Sequence, residues 1–564
     1  MKRIFLALAA GLFLAAAVYV LFIRKEHAAD PLAFLPGDTL ALVDLRQPAA
    51  LYDRCRQSRL GQRIGKIRWE ELLLQFGAGE EEARHFQDEV AQIQAFLDGP
   101  LFRELFARRA ILALLPVDPG NRTLAATWDS LVLIASPRHQ TKAVELLAPL
   151  LTNDNQYSAE AFHNREIRSF ILTDKTVLSV AASDGLLLAS LSADTVKRCL
   201  DLALRQPAAG EDRLSSNTGY QALRQRAGGR DEQFVYGDAR ALTRLLHTLS
   251  SPGLAHAETE GIAGEGDFGP GAFFCGNEID RLDCTAVLLA KPGWAGAGMP
   301  MQGRDDFLAS VPADLLLHYW TNLLDLTRWT AALQHVPQLR DHLSMSEKWL
   351  VRKTGMTFSE FFSLFDNQIS LTVTGIRGNG FLPLPRLCCR LAIKDEERLR
   401  LAIFSLLAGK TQASREVAGT RINTLMLGGG LLQPSWAIKD GIVFFADSPE
   451  QLEQSLGRPE VPLVKTPRFR QVDIGLEELS NMIAYVHNPN LIDGLQQFAS
   501  WGATILAMID QEHGGRIRAL VDLVVAPVLD GMKMFAAGSS RLRAEPSELR
   551  IESVLLLADR AEEE

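Results

Sequence analysis

What this chain of 564 residues lacks narrows its chemistry first. It has only six cysteines, too few for a disulfide framework in a chain this long, and no Cys-x-x-Cys pair of the kind that holds zinc or runs thiol exchange. Its eleven histidines form neither His-Glu-x-x-His nor the inverse, so the zinc peptidases fall away. Gly-x-Ser-x-Gly, the turn that presents a nucleophilic serine, does not occur. Leu407-Ala408-Gly409-Lys410-Thr411 imitates the tail of a phosphate-binding loop, but Phe404 stands at the leading glycine position. That segment also closes a helix instead of opening one, so its backbone amides face the wrong way. Positive charge is not in excess either: 59 Lys and Arg against 68 Asp and Glu give a net charge of −9, which argues against a general nucleic-acid binder.

Other polar clusters have plain explanations. His256, Glu258, Glu260, Glu265 and Asp267 share a glycine-rich loop, but their spacing is not that of an EF-hand and a solvated acidic loop accounts for them. Glu80-Glu81-Glu82 suits a helix N-terminus. No cofactor or metal is expected.

What is present begins with Lys2 and Arg3 ahead of an uninterrupted apolar run from Ile4 to Ile23. At about 1.5 Å per residue that run is one hydrocarbon thickness long. A signal peptide cleaved near Ala15-Ala16-Ala17 is the rival reading, but six more apolar residues follow before Arg24 and Lys25. An uncleaved anchor is therefore expected, with a short tail in the cytoplasm and the body exported: a single-pass inner-membrane protein with its body in the periplasm.

Behind the anchor the chain writes one pattern twice. Pro36 and Asp38 answer Pro312 and Asp314 in a turn before an apolar strand; Leu131 to Ala135 and Val144 to Leu150 answer Cys388 to Ala392 and Leu401 to Leu407. Ser183-Asp184-Gly185 through Ser192 to Leu200 aligns without a gap on Lys439-Asp440-Gly441 through Ser448 to Leu456. Asp-Gly between apolar runs predicts a hairpin turn. Ser192 and Ser448 predict N-caps, with Pro449 at the first helical position and Gln451 completing a capping box. Each copy reads as strand, helices, two strands, helix, three strands, helices, strand, helix and a hairpin. That order predicts an α+β fold, a mainly antiparallel sheet covered on one face. The expected boundaries are 1–30 for anchor and spacer, 31–290 and 304–564 for the copies, and a Gly- and Pro-rich joint over 291–303.

These features together, a Pro-x-Asp-Thr opening at Pro36-Gly37-Asp38-Thr39, paired apolar strands and the Asp-Gly hairpin, resemble the bacterial domain of unknown function 3352 family. The resemblance implies an envelope protein and brings no activity or catalytic residue with it.

Two sets of residues stand out as candidates. Arg56, Arg59, Arg63 and Lys66 recur at helical spacing beside Leu60, Ile64 and Ile67, a basic amphipathic helix that can lie on anionic headgroups or dock an acidic partner, or simply present a solvated face. Cys275 and Cys284 flank the turn Gly276 to Asp280 and stand either as two thiols or as a cross-strand disulfide. Duplication without a polar constellation shared by the copies favours a non-catalytic, tethered body that binds an envelope partner protein or an apolar ligand. A periplasmic hydrolase or transferase with a site assembled from distant residues is the alternative.

Overall fold

The computed structural model describes residues 29–117, 123–139, 157–173, 176–204, 213–230, 232–250, 268–278, 280–291, 294, 300–334, 337–378 and 383–558. The expected anchor, the helix at 144–150, the acidic loop over 251–267 and most of the joint at 291–303 lie outside the described residues. Among those described, no helix is long and apolar enough to cross a membrane. Helix makes up 43% and strand 34%, and the registered strand pairs are antiparallel, which places the fold in the α+β class.

The chain divides into two compact units, Met1–Tyr52 with Gln92–Glu265, and Asp53–Ala91 with Gly266–Glu564. The first holds β1 (Ala41–Arg46), β2 (Arg109–Leu114), β3 (Leu131–Ser136), β4 (Tyr157–Phe162), β5 (Arg165–Thr173), β6 (Thr176–Ser183), β7 (Leu186–Ser190) and β8 (Gln233–Asp238). Their order is β4-β5-β6-β7-β3-β2-β1-β8.

The second unit holds β9 (Phe268–Asn277), β10 (Arg281–Ala290), β11 (Leu317–Thr321), β12 (Phe365–Gly378), β13 (Pro383–Ile393), β14 (Gln412–Val417), β15 (Thr420–Leu425), β16 (Ser435–Lys439), β17 (Ile442–Ala446), β18 (Met482–His487), β19 (Phe535–Glu545) and β20 (Glu548–Leu557). Their order is β14-β15-β16-β17-β13-β12-β11-β18-β19-β20-β10-β9.

The order of β4 to β8 around β1 is thus the order of β14 to β18 around β11, and small details recur with it. Pro36 and Pro312 each make an isolated bridge, to Arg213 and to Pro462. The backbone N–H of Leu214 donates to Leu35 and that of Leu463 to Val311. Asp184-Gly185 has φ of 50° and 80°, and Asp440-Gly441 has 53° and 73°. Two successive positive φ values define the primed turn that matches strand twist, and glycine tolerates the second one without a Cβ penalty.

Several expectations need correction. The joint at 291–303 is not where the units part: β10 pairs with β20 from Arg281↔Leu556 to Leu289↔Glu548, which carries the 268–290 hairpin into the second unit. The segment 53–91 joins that unit too, its helix Arg59–Ile64 seated on Ala526–Met532 so closely that a Cβ on Gly531 would lie 2.7 Å from the Leu60 Cα. The sheet is covered on both faces around β16 and β17. Val443 and Ile438 pack with Leu399 and Ile403 of the helix Glu396–Leu407, while Phe444 and Ala437 pack with Leu452 of the helix Pro449–Leu456. Four strands, not three, follow that first helix, because polar β14 forms an exposed edge. Finally, the Ser448 hydroxyl does cap Gln451 N–H, but the Gln451 side chain accepts from the Thr374 hydroxyl at 3.1 Å instead of closing a box.

The turns give a direct test. Gly441→Val puts a β-branched side chain at positive φ and is expected to lower stability by about 1–2 kcal/mol, with Gly185→Val behaving alike; Asp440→Gly should stay within about 0.5 kcal/mol of the parent. Urea unfolding midpoints check this, and a neutral Gly441→Val would remove the turn assignment.

Candidate functional site

An apolar concavity lies in the second unit, among the helices Pro337–Thr354, Phe358–Phe362 and Glu396–Leu407. Each helix is fixed by local chemistry. Gly355 at φ 76° stops the first. Thr357 opens the second with a complete capping box: Glu360 N–H donates to the Thr357 hydroxyl at 3.3 Å, and Thr357 N–H donates to the Glu360 carboxylate at 2.8 Å. That backbone bond holds the Glu360 carboxyl below its ordinary pKa. Asp395 caps the third through Arg398 N–H at 3.0 Å. Glu347 accepts Phe358 N–H at 3.1 Å and so ties the first helix to the second.

The resulting groove is about 500 Å³ and is lined by Met345, Trp349, Leu350, Phe358, Phe361, Phe362 and Leu406, with Ser346 as its polar member. The phenylalanines brace one another: Phe358 stacks on Phe362 at 5.6 Å, and Phe361 meets Phe365 edge-on at 5.7 Å. Met345 is 65% exposed and Trp349 48%, so the rim is apolar and wet. Such a lining can bind an apolar group by burial but offers no acid or base to activate its one hydroxyl, that of Ser346.

Two buried polar clusters also bring ionisable groups together. In the second unit His318 Nδ1 meets the Thr372 hydroxyl at 3.1 Å and Nε2 meets the Asp305 carboxylate at 2.6 Å. The order hydroxyl, imidazole, carboxylate is that of a hydrolase triad. Thr372 is only 2% exposed and His318 is fully buried, however, which leaves a substrate carbonyl no approach. Asp305 also accepts Phe307 N–H at 2.9 Å, so the cluster serves to fasten that turn to β11.

In the first unit the fully buried Asp44 carboxylate accepts from Nε and Nη2 of Arg109 at 2.8 Å each and takes a further bond from Arg224. Arg224 donates to the Tyr220 hydroxyl at 2.9 Å and sits 4.0 Å over the Phe234 ring. Burial opposes the charge on Arg109, but Asp44 overcomes it and raises the guanidinium pKa. Register equates Asp44 with Trp320 and Leu42 with His318, since Leu42 and His318 face Tyr236 and Tyr485 in the same strand pairs. Neither polar cluster is therefore shared by the copies.

The residues singled out in sequence fall as follows. Arg59 and Arg63 both pair with Asp530, at 2.9 and 2.7 Å, and Leu60 packs on Gly531, so two of the four basic groups and part of the apolar stripe are spent within the unit. Arg56 and Lys66 are exposed. Cys275 and Cys284 stand directly opposite in β9 and β10, with Cα atoms 4.3 Å apart, and form a disulfide. Among the described residues no group of three or more His, Cys, Asp or Glu is placed to hold a metal. Sequence reading passed over the groove because the Phe358-x-x-Phe361-Phe362 run beside Trp349 reads equally well as ordinary core.

No family model matches this chain, and no curated protein matches it. Among solved structures, crystal forms III, I and IV of TP0453 are similar at 9% identity, with TM-scores of 0.23, 0.23 and 0.24. They cover 46%, 47% and 47% of this chain and 80%, 79% and 83% of TP0453. Likeness at that level carries nothing over.

Two measurements test the polar interior. Asp44→Ala strands the Arg109 and Arg224 charges and is expected to cost about 3 kcal/mol in urea unfolding; a loss under about 1 kcal/mol would mean that the cluster does not hold the first unit. His487 has its pKa lowered by burial and by Arg468, whose guanidinium lies 2.6 Å from Nε2. A depressed pKa favours proton uptake by the unfolded chain, so this stability is present above about pH 6.5 and falls as pH drops below it. His487→Gln should flatten the fall in melting temperature between neutral pH and about pH 5; an unchanged slope would assign it elsewhere.

Proposed function

We propose that this chain is a non-catalytic, membrane-tethered protein of the bacterial cell envelope, built by tandem duplication of one α+β domain, that holds an apolar ligand in the groove of its second copy. The observation that carries the binding reading is the groove itself: about 500 Å³ bounded by Met345, Trp349, Phe358, Phe361, Phe362 and Leu406, within the size range of small-molecule sites and nearly free of polar groups. A concave lining of this kind favours a slender apolar ligand, such as an acyl chain, over a flat protein surface. Three further observations support the setting. The apolar run Ile4 to Ile23 has spanning length. The Cys275–Cys284 disulfide suits an oxidising compartment such as the periplasm. The sequence resemblance to the domain of unknown function 3352 family implies an envelope protein. The non-catalytic reading rests on access, because the triad-like His318 cluster is sealed from solvent and has no partner in the other copy.

A brominated fatty acid tests the groove, since bromine quenches tryptophan only at contact. Saturable quenching is expected in the parent chain, with the Trp349 share missing in Trp349→Phe. Ser346→Trp, which fills the groove, should weaken binding at least about tenfold, equivalent to ~1.4 kcal/mol. Equal quenching in all three chains would reject the groove as the site.

A further inference from the structure

The eight strands of the first unit end in two rows, and register identifies both. One row runs Gln233, Leu45 and Arg46, Arg109, Ser136, Leu186 and Leu187, Ser183, Arg165 and Phe162 across β8, β1, β2, β3, β7, β6, β5 and β4. The chain from the apolar run arrives at this end. Ala29 N–H donates to the Asp184 carbonyl in the β6–β7 turn at 3.0 Å, and Asp30 accepts Arg109 at 3.0 Å. Between Ile23 and Ala29 lie five residues, which reach about 20 Å at most even if fully extended. If the apolar run spans a bilayer, this row cannot stand farther than that from the hydrocarbon, and the headgroup layer takes up about 6 Å of the distance.

The two ends differ in how their charges are engaged. At the end where the chain arrives, Asp30, Asp184 and Glu166 are each engaged by an arginine, namely Arg109, Arg165 and Arg168. Glu104 is buried and accepts from His139, and Glu232 adjoins β8. Arg108, Arg138 and Arg230, each one to three residues beyond a strand end, are exposed and enter no ion pair among the described residues. The far end carries Asp38, Asp129, Asp194 and Asp238 beside Arg198, Lys197 and Arg240, with Arg198 drawn to Asp38 and Lys197 to Glu160 and Asp194. Three uncommitted guanidinium groups within reach of a bilayer match phosphate-bearing headgroups, which guanidinium binds in a bidentate fork.

We propose that the sheet end bearing Arg108, Arg138 and Arg230 lies against anionic lipid headgroups of the membrane that the N-terminal apolar run enters, so that the first unit stands upright on the surface with its far end outward. This surface was not among the sequence candidates, and the inference rests on the anchor reading given under the proposed function. The groove of the second unit plays no part in it.

The test uses the full chain with Cys55→Ser, carrying a fluorophore at Ala161→Cys near the basic end or Ala125→Cys near the far end, both exposed positions. The protein is reconstituted into vesicles of phosphatidylcholine alone or mixed with phosphatidylglycerol, each doped with a headgroup-nitroxide lipid that quenches nearby dye. Quenching at Ala161 is expected to exceed that at Ala125 severalfold in mixed vesicles. Replacing Arg108, Arg138 and Arg230 together by Gln should return it to the phosphatidylcholine level without shifting the melting temperature, and high salt should do the same. Equal quenching at the two positions, or no effect of the three replacements, overturns the proposal. Flotation separates it from the anchor: a chain that floats with neither vesicle type sinks both readings. One that floats only with mixed vesicles, reversibly with salt, sinks the anchor and upholds the headgroup contact.

Discussion

The ladder between β10 and β20 is the constraint that the second unit depends on. β20 is hydrogen-bonded on both sides, to β19 through Arg541↔Glu552 and its neighbours and to β10 through Thr285↔Glu552. A central strand must satisfy two ladders and both faces at once, so its register is set by all of them together. Electrostatics reinforce that register. Glu552 is drawn on by Arg541, Arg543 and Arg550 from the same pair of strands, at 2.9, 3.1 and 3.0 Å. Burial works against its ionisation, yet these three arginines overcome the penalty and hold its pKa below the ordinary range. Without β10, β20 would be an open edge carrying unpaired amides, the kind of edge that invites a foreign strand. The β9–β10 hairpin closes it, and the disulfide between Cys275 and Cys284 fastens that hairpin in turn.

A scaffold held this firmly by backbone pairing leaves its interior free to diverge. Asp44 with Arg109 and Arg224 occupies the position where the other copy has the fully buried Trp320, and Leu42 stands where the other has His318. Tyr220, three residues after the Asn217 cap, answers Phe469, three residues after the Thr466 cap. Each solution is self-consistent: a buried carboxylate needs its cations, and a buried indole or imidazole needs volume or a partner. Neither needs a substrate.

How much of this was legible in the sequence depended on how local the cause was. The Asp-Gly turns and the Ser448 cap follow from residues within a few positions of one another, and they stand where expected. The boundary at 291–303 misled because the pairing of β10 with β20 spans most of the second copy, and no composition shift records it. β14 escaped notice because Gln412 to Glu416 are exposed and polar, so the alternation that marks a half-buried strand is absent. The two-sided covering of β17 was visible in principle: Ile442-Val443-Phe444-Phe445-Ala446 is a continuous apolar run, the mark of a strand buried on both faces.

The two places of greatest functional interest were illegible for opposite reasons. The groove is made of residues that sequence sees clearly, Trp349 and the phenylalanines of the Phe358–Phe362 helix, but apolar side chains in a core and in a groove are written alike, and only the exposure of Met345 and Trp349 tells them apart. The basic sheet end is made of residues that sequence scatters. Arg108, Arg138 and Arg230 are far apart in the chain, and each looks like an ordinary surface arginine until antiparallel register brings the ends of β2, β3 and β8 into one row. The basic helix that did stand out, with Arg59 and Arg63, directs two of its charges inward onto Asp530. A charge pattern along one helix therefore says less about a binding surface than charges collected by a sheet, because a helix can turn its polar face to a neighbour.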